Sequence, residues 1–203
     1  ASFSYREVRM NQFGESGRTN ILNRCKNIIM KPKDEWAVID QETMSIEDIF
    51  KSHVLSLAAI PPLAGLIGAL AFGYSIMGIT FRPSVGSALS AALVQYIVGV
   101  AMIFLIALVI EFFAPRFGGT ADRVKAVKLA AYSATAGWLA GIFSIIPALS
   151  FLSLLGLYGL YLLYTGLPIL MRVPDEKILV YFLSIIGVGV LLAIILSVLT
   201  VAF

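Results

Sequence analysis

Charge is scarce in this sequence and absent from long stretches of it. Only 13% of the 203 residues are charged, whereas 59% are apolar, and the mean hydropathy is +0.92. A soluble domain of this length needs far more charge on its surface. The composition therefore excludes a soluble domain and predicts a polytopic membrane protein.

The sequence also lacks the side chains that most enzymes and metal sites require. It has one histidine, His53, and one cysteine, Cys25, which cannot form a conventional zinc site or an internal disulfide. No nucleophile elbow, P-loop or convincing dinucleotide motif is present. No Asp, Glu, Lys or Arg lies in the middle of an apolar block, which argues against ion-coupled transport. We predict no catalytic residue, metal or cofactor, and expect His53 at the membrane interface.

Four uncharged blocks predict the membrane spans. Three of them suit one helix, which needs about 20 apolar residues to cross the hydrocarbon core. The 43 residues between Lys128 and Arg172 would be about 64 Å long as one helix, so they must fold back near Pro147. We predict an all-α membrane protein whose domain 53–203 is a five-transmembrane-helix bundle, with spans at 54–77, 85–110, 128–147, 149–171 and 178–203.

The basic residues predict the orientation of this bundle. With five spans, 14 of the 15 lysines and arginines fall on one side and only Arg82 on the other. The positive-inside rule then places the N-terminus in the cytoplasm and the C-terminus outside. Because the basic residues flank spans and alternate with 12 acids, we predict contact with the lipid bilayer and its anionic cytoplasmic headgroups, and no nucleic-acid partner.

The first 52 residues divide into a leader and a membrane-interface segment. Residues 1–20 lack periodicity and are predicted to be disordered or not native, with Met10 as a candidate start and no cleavable signal peptide. Residues 21–52 are predicted to form cytoplasmic amphipathic helices at the membrane interface, although a docking surface for a cytoplasmic partner is an alternative. The apolar face is assigned to Ile21, Leu22, Cys25, Ile28 and Ile29, and the interfacial anchors to Trp36, Arg24, Lys26, Lys31 and Lys33.

Two local patterns in this segment mark helix starts. Pro32 suits the first position of a helix, where its missing N–H costs nothing. Ser45, followed by Asp48, resembles a helix N-cap that leads into the first span. The sequence thus predicts two short helices ahead of the bundle.

Small residues recur along one face of several spans and predict close helix packing. Lipid supplies no hydrophobic drive between helices, so close backbone approach has to stabilise their contacts. Packing within one chain is the simpler interpretation, and contact with a second copy or another membrane protein is the alternative. The predicted packing glycines are Gly65, Gly68, Gly99, Gly137, Gly141, Gly156, Gly159 and Gly166.

Tyrosines and other neutral polar residues within the spans need hydrogen-bond partners there. We predict a polar cluster, which either holds the helices in register or forms a ligand or permeation site. Its candidate members are Gln95, Tyr132, Tyr158, Tyr161, Tyr164 and Thr165.

Three stretches resemble the Yip family, named for proteins that interact with Ypt/Rab GTPases, and especially its bacterial branch. They are KPKDEWAVI (31–39), HVLSLAAIPPLAGLIG (53–68) and GLYGLYLLYTGLPILMRVPDEK (156–177). The resemblance covers roughly residues 22–203 and implies a non-enzymatic integral protein of a bacterial inner membrane. We therefore expect a membrane-organising or scaffold protein, with a small channel or uncoupled transporter as the alternative.

Overall fold

The computed structural model describes residues 21–76 and 79–202. The predictions for the leader 1–20 and for the position of Phe203 lie outside the described residues. Two short helices come first, α1 (Ile21–Met30) and α2 (Pro32–Gln41). Pro32 opens α2, and Asp34 and Glu35 lie in its first turn, where acidic side chains interact favourably with the helix dipole.

The third helix, α3 (Ile46–Ala71), begins at the predicted cap. The Ser45 hydroxyl accepts a hydrogen bond from the Asp48 N–H at 3.1 Å, and the Asp48 carboxylate accepts one from the Ser45 N–H at 3.2 Å, which confirms the cap. A π-helical turn at Phe50–Val54 interrupts the helix, so α3 runs through the boundary predicted between residues 52 and 53.

The predicted end of the first span at residue 77 is wrong. The helix stops at Ala71, and Gly73 adopts a φ of 77°, a left-handed conformation that glycine reaches without strain. Residues beyond it form two strands, β1 (Tyr74–Ile76) and β2 (Ile79–Phe81), which pair antiparallel.

The remaining helices form the rest of the bundle. Helix α4 (Val85–Phe113) ends in a 3₁₀ turn at Ala114–Phe117, and α5 (Arg123–Ser133) is followed by α6 (Thr135–Ala140) and a 3₁₀ turn at Gly141–Ile145. A 3₁₀ segment at Pro147–Leu157 leads into α7 (Tyr158–Leu170), and the last helix is α8 (Asp175–Ala202). The chain reverses at Ile146, which is extended because Pro147 follows it.

Four helical segments of the described chain are long and apolar enough to cross a membrane: Ile46–Ala71, Val85–Phe117, Pro147–Leu170 and Asp175–Thr200. The span predicted at 128–147 is not among these four segments. A turn at Ala134 divides its α-helix into two short pieces, and the backbone tightens into a 3₁₀ turn from Gly141. Gly137 and Gly141 both have low helix propensity, which weakens a single long helix in this stretch.

Helix α5 lies at the centre of the fold. Every residue from Ala126 to Ser133 is buried, because α4 and α7 pack on two sides and α1 and α2 contact it through Arg24, Trp36 and Ile39. The long helices α4 and α8 instead leave large apolar side chains exposed, as lipid-facing helices do. Examples are Leu89, Leu93, Ile97, Leu183, Ile195 and Leu199.

Glycines permit the closest helix contacts. A Cβ on Gly159 would lie 2.7 Å from the Ser133 carbonyl oxygen, and one on Gly156 would lie 3.0 Å from the Gly137 Cα. The end of the 3₁₀ segment and the first turn of α7 therefore pack backbone to backbone against α6 and the end of α5. At other positions a Cβ on Gly68 would lie 2.5 Å from the Ser144 carbonyl oxygen, one on Gly141 2.6 Å from Pro61 and one on Gly65 4.0 Å from Gln95, whereas Gly99 and Gly137 have no such neighbour.

Candidate functional site: a buried ionic contact between the N-terminal helices and the bundle

One face of the two N-terminal helices packs against the bundle. Ile28, Trp36 and Ile39 are fully buried, and α2 packs along α7. The contact that holds them contains most of the buried charge of the described chain, and we call it the docking interface. It consists of Arg24, Glu35, Asp40, Glu42, His53, Lys125, Lys128, Tyr132, Thr135 and Arg172.

Arg24 lies on the buried face of α1. It follows Ile21 by three residues and precedes Ile28 by four, and residues at these spacings share a helix face. Arg24 is 5% exposed, whereas Leu22, about 100° from Ile21, is 71% exposed. The predicted face is therefore wrong for both residues, because it followed polarity rather than angular position, and Arg24 is not an interfacial anchor.

Two carboxylates surround the Arg24 guanidinium. It donates to Glu35 at 2.5 Å and also to Glu42, and it lies over the Tyr132 ring, 5.5 Å from the centroid, in a cation–π contact. Burial opposes its charge, but Glu42, Tyr132 and Glu35 outweigh this effect and raise the pKa of Arg24 above its ordinary value. The ion pairs thus hold α1, α2 and the segment after α2 together around one charge.

Lys128, on the central helix α5, is also buried. Its ammonium group donates to the carbonyl oxygens of Ile39 at 2.7 Å and Glu42 at 2.5 Å. Both carbonyls lie at the C-terminal end of α2, where the helix dipole favours a cation. Lys128 therefore fixes the end of α2 on the bundle.

Asp40 forms the outer part of the docking interface. Its carboxylate accepts from Lys125 at 2.6 Å and from Arg172 at 2.9 Å. Burial raises the pKa of Asp40, but the two cations outweigh burial and leave it below its ordinary value. Arg172 has a φ of 55°, uncommon for a residue other than glycine. Asp40 thus joins α2 to α5 and to the chain after α7.

His53 is buried rather than interfacial, which corrects the prediction. Its Nε2 atom lies 2.9 Å from the Thr135 hydroxyl, and its ring lies 4.5 Å from that of Tyr132. The π-helical turn in α3 contains His53 and faces α5. The bundle therefore does enclose ionisable groups, but most come from segments that the sequence predicts to lie outside it.

The other predicted anchors divide into one buried residue and three exposed ones. Trp36 lies beside Gly166, where a Cβ would be 2.8 Å from its indole ring, and so it is not an interfacial anchor. Its indole N–H has no partner within the described chain. Lys26, Lys31 and Lys33 are exposed and form the charged outer surface of α1 and α2.

The six residues of the predicted polar cluster do not form one group, although the rings of Tyr158 and Tyr161 lie 5.3 Å apart. Tyr158 donates to the Ile29 carbonyl at 2.8 Å, and Thr165 bonds within its own helix. Tyr161 and Tyr164 are 45% and 39% exposed. The remaining two candidates also lie apart, since Gln95 is exposed and Tyr132 belongs to the docking interface, where it donates to the Met44 sulfur at 3.8 Å.

The docking interface suits a fixed structural contact better than a metal site. Among residues 21–76 and 79–202, no group of three His, Cys, Asp or Glu side chains could hold a metal ion. Two polar atoms in or near it, Glu42 Oε2 and Ser133 Oγ, are buried without a partner in that range. Burial raises the pKa of the Cys25 thiol on the same face of α1, so this cysteine is a poor nucleophile.

Comparisons with known proteins cover nearly the whole described chain. The Yip1 domain model matches residues 26–198, a range that contains every docking-interface residue except Arg24. Inner membrane protein YohC of Escherichia coli strain K12 is 30% identical over 185 residues, covering 89% of this chain and 95% of that protein. The protein of the same name from Escherichia coli O6:H1 strain CFT073 has the same identity and coverage. No solved structure matches the chain significantly.

Proposed function

The chain belongs to the Yip1 domain family, as its motifs predict, and on that premise we propose that it is a non-enzymatic, membrane-organising scaffold of a bacterial inner membrane. The relative in Escherichia coli is named an inner membrane protein. In this proposal the bundle anchors the protein in the bilayer, and the outer surface of α1 and α2 binds a partner protein or a second copy of this chain.

The docking interface carries this proposal. Helices that only anchored a chain in headgroups would keep their charges in solvent, whereas Arg24 of α1 and Glu35 of α2 are buried here. A buried ion pair adds little net stability, but it penalises every arrangement that leaves its charges unpaired. The interface therefore favours one orientation of α1 and α2, which is what a binding surface requires.

The binding role is tested by photo-crosslinking in intact cells. A photoreactive amino acid at Lys33 or Val38, both exposed on α2, is expected to give an adduct of defined mass. The same group at Ile195, exposed on the apolar helix α8, is the control and is expected to give lipid adducts alone. Mass spectrometry of the adduct distinguishes a second copy from another protein.

The docking interface itself is tested by repeating the experiment in an Arg24→Gln background. We expect the adduct to weaken, because unpaired Glu35 and Glu42 would release α1 and α2. An equal yield of the adduct would contradict a role for the fixed orientation of α1 and α2. If neither position gives a protein adduct, the scaffold role is contradicted. Solute flux through proteoliposomes that is lost on Gln95→Leu, a change far from α2, would instead favour the channel alternative.

We also propose that the chain crosses the membrane five times. The Thr120 N–H donates to the Met171 carbonyl at 2.8 Å, so the stretch between these residues begins and ends on one side of the bundle. Such a stretch crosses an even number of times, and Pro147–Leu170 is one candidate crossing. Residues 123–145 then form the other, in two pieces. The docking interface lies at the end bearing Lys125 and Arg172, which the positive-inside rule places in the cytoplasm.

Reporter fusions test this topology. A phosphatase that is active only in the periplasm is expected to work after Thr200 and to fail after Thr120. A reporter active only in the cytoplasm should behave in the opposite way. Cytoplasmic activity after Thr200 would contradict five crossings with a cytoplasmic N-terminus.

A further inference from the structure

A cleft of about 690 Å³ opens beside the last two turns of α4. Its apolar wall includes Leu108 and Phe112 from α4 and Val188 from α8, and its polar wall consists of Glu111 and Arg123. Phe112 is 58% exposed, so this wall continues into the surface that α4 presents to lipid. The cleft is therefore apolar at depth and charged at the end of the helix.

Two arginines make the charged end of the cleft positive: Arg123 lines the cleft, and Arg116 is not part of the lining but lies against Phe112, which is. Arg123 uses only its Nε atom to bind Glu111, at 2.6 Å, and its side chain is 53% exposed. The Arg116 guanidinium lies over the Phe112 ring, 3.6 Å from the centroid. With one carboxylate and two guanidinium groups, this end carries a formal charge of about +1 at neutral pH.

The end of α4 would by itself repel an anion, because unpaired carbonyls give a helix C-terminus a partial negative charge. Arg116 reduces that repulsion by donating to the Phe112 carbonyl at 2.6 Å. The 3₁₀ turn at Ala114–Phe117 holds Arg116 in this position. The terminal N–H groups of Arg123 provide the planar pair of donors that phosphate oxygens accept.

We propose that this cleft binds one anionic phospholipid, with the phosphate on Arg123 and Arg116 and an acyl chain along Leu108, Phe112 and Val188. Basic residues at the end of an apolar cleft between transmembrane helices suit such a ligand. A net positive rim favours an anionic headgroup over a zwitterionic one, whose ammonium it repels. This site is separate from the outer surface of α1 and α2, so it does not depend on the scaffold role.

Native mass spectrometry tests the site on the full chain in micelles that contain phosphatidylcholine. Phosphatidylglycerol added in increasing amounts is expected to give one tightly bound lipid per chain. Arg123→Gln is expected to weaken this binding about tenfold, the effect of losing one charge-assisted hydrogen bond. Lys26→Gln removes the same charge from an exposed position on α1 and is expected to leave binding unchanged.

Two further variants distinguish the contribution of the headgroup to lipid binding from that of the acyl chain. Glu111→Gln removes the carboxylate that competes for Arg123 and is expected to tighten binding about fivefold, as one additional positive charge does. Val188→Trp fills the cleft and is expected to abolish tight binding without changing the charge.

Each opposite result overturns the proposal. Equal losses in Arg123→Gln and Lys26→Gln would mean a response to net charge alone. Unchanged binding in Val188→Trp, or full displacement of the lipid by inorganic phosphate, would mean that the cleft takes no acyl chain. If Arg123→Gln does not fold, weaker or equal binding in Glu111→Gln overturns the proposal in its place.

Discussion

The central helix α5 makes two contacts that are built in opposite ways. Towards α1 and α2 it contributes a buried lysine, Lys128, and the Tyr132 ring beside Arg24. Towards α7 it contributes the Ser133 carbonyl, which Gly159 approaches so closely that no side chain fits between them. The first contact depends on charge and the second on the absence of side chains.

The difference follows from what surrounds each contact. Between helices in lipid, separation exposes no apolar surface to water, so dispersion at close backbone approach has to stabilise the contact. At the charged end of the bundle, separation returns charges to solvent, and buried ion pairs specify the arrangement. The two contacts should therefore respond to different substitutions, one to loss of charge and the other to added volume.

The largest expected effect is that of Arg24→Ala. It leaves the buried Glu35 and the partly buried Glu42 without their cation, and removing one partner of a buried pair costs about 3–5 kcal/mol. Equilibrium unfolding in detergent measures the loss, and hydrogen exchange should place it in α1 and α2. The matched control is Lys51→Ala, which breaks an exposed i,i+4 pair with Glu47 and should cost about 0.3–0.5 kcal/mol. Similar losses of stability in both variants would contradict the claim that buried charge specifies the contact between α5 and the N-terminal helices.

A glycine contact of the same kind joins α3 to the 3₁₀ turn after α6, and there added volume should be the sensitive change. Gly68→Ala places a Cβ 2.5 Å from the Ser144 carbonyl oxygen and 2.9 Å from that of Ile145. Because backbone atoms cannot rotate away, we expect a loss of about 1–3 kcal/mol. Gly99→Ala has no atom within 4 Å and should be neutral or slightly stabilising, since alanine has the higher helix propensity. Thermal unfolding of both variants measures this difference, and equal melting temperatures would contradict backbone packing at Gly68.

A smaller effect is expected from Thr135→Val, which keeps the volume but removes the hydroxyl that lies 2.9 Å from His53 Nε2. Losing this buried hydrogen bond should cost about 1 kcal/mol. Thr165→Val is the control, because the Thr165 hydroxyl bonds only carbonyls of its own helix. Denaturant unfolding of the pair should separate them, and a larger loss in Thr165→Val would mean that His53 does not need its partner.

The membrane class, the apolar helices and the turn at Ile146 follow from the sequence. Long uncharged blocks have few folded solutions in lipid, and proline restricts the residue before it. The close approach of Gly156 and Gly159 to α5 and α6 also follows from spacing, because small residues at i and i+3 share a helix face. These features depend on local rules that a single segment satisfies by itself.

The docking interface was not predictable in the same way. The ion pairs join residues that are far apart in the chain, such as Asp40 with Lys125 and Arg172, and no local rule specifies such a partner. One sign was present, since Arg24 falls between Ile21 and Ile28 on their own helix face. A charge at the centre of an apolar face indicates a buried partner. If residues are assigned to helix faces by their angular position first and by polarity second, the sequence predicts that α1 packs against another part of the chain.

The smallest expected effect is a pH dependence at Asp40. Burial raises the pKa of its carboxyl, but the opposite effect of Lys125 and Arg172 is larger. The pKa of Asp40 in the folded protein therefore lies below the ordinary 3.8. The carboxylate therefore contributes stability above pH 3.8 that is lost as the pH falls through the folded pKa. Trp36 fluorescence, measured in a Trp138→Phe background, should report a partial release of α2 on acidification.

Asp40→Asn should flatten this acid transition and lower stability at neutral pH, because asparagine cannot pair with two cations. Asp34→Asn, an exposed change in the same helix, should keep the wild-type curve. If Asp40→Asn also keeps that curve, Asp40 contributes little, and α2 is held by the apolar contacts of Trp36 and Ile39 together with the bonds of Lys128 and Arg24. The charged contact between α5 and the N-terminal helices would then depend on Arg24 and Lys128 alone, whereas the contact of α5 with α7 would still depend on glycine.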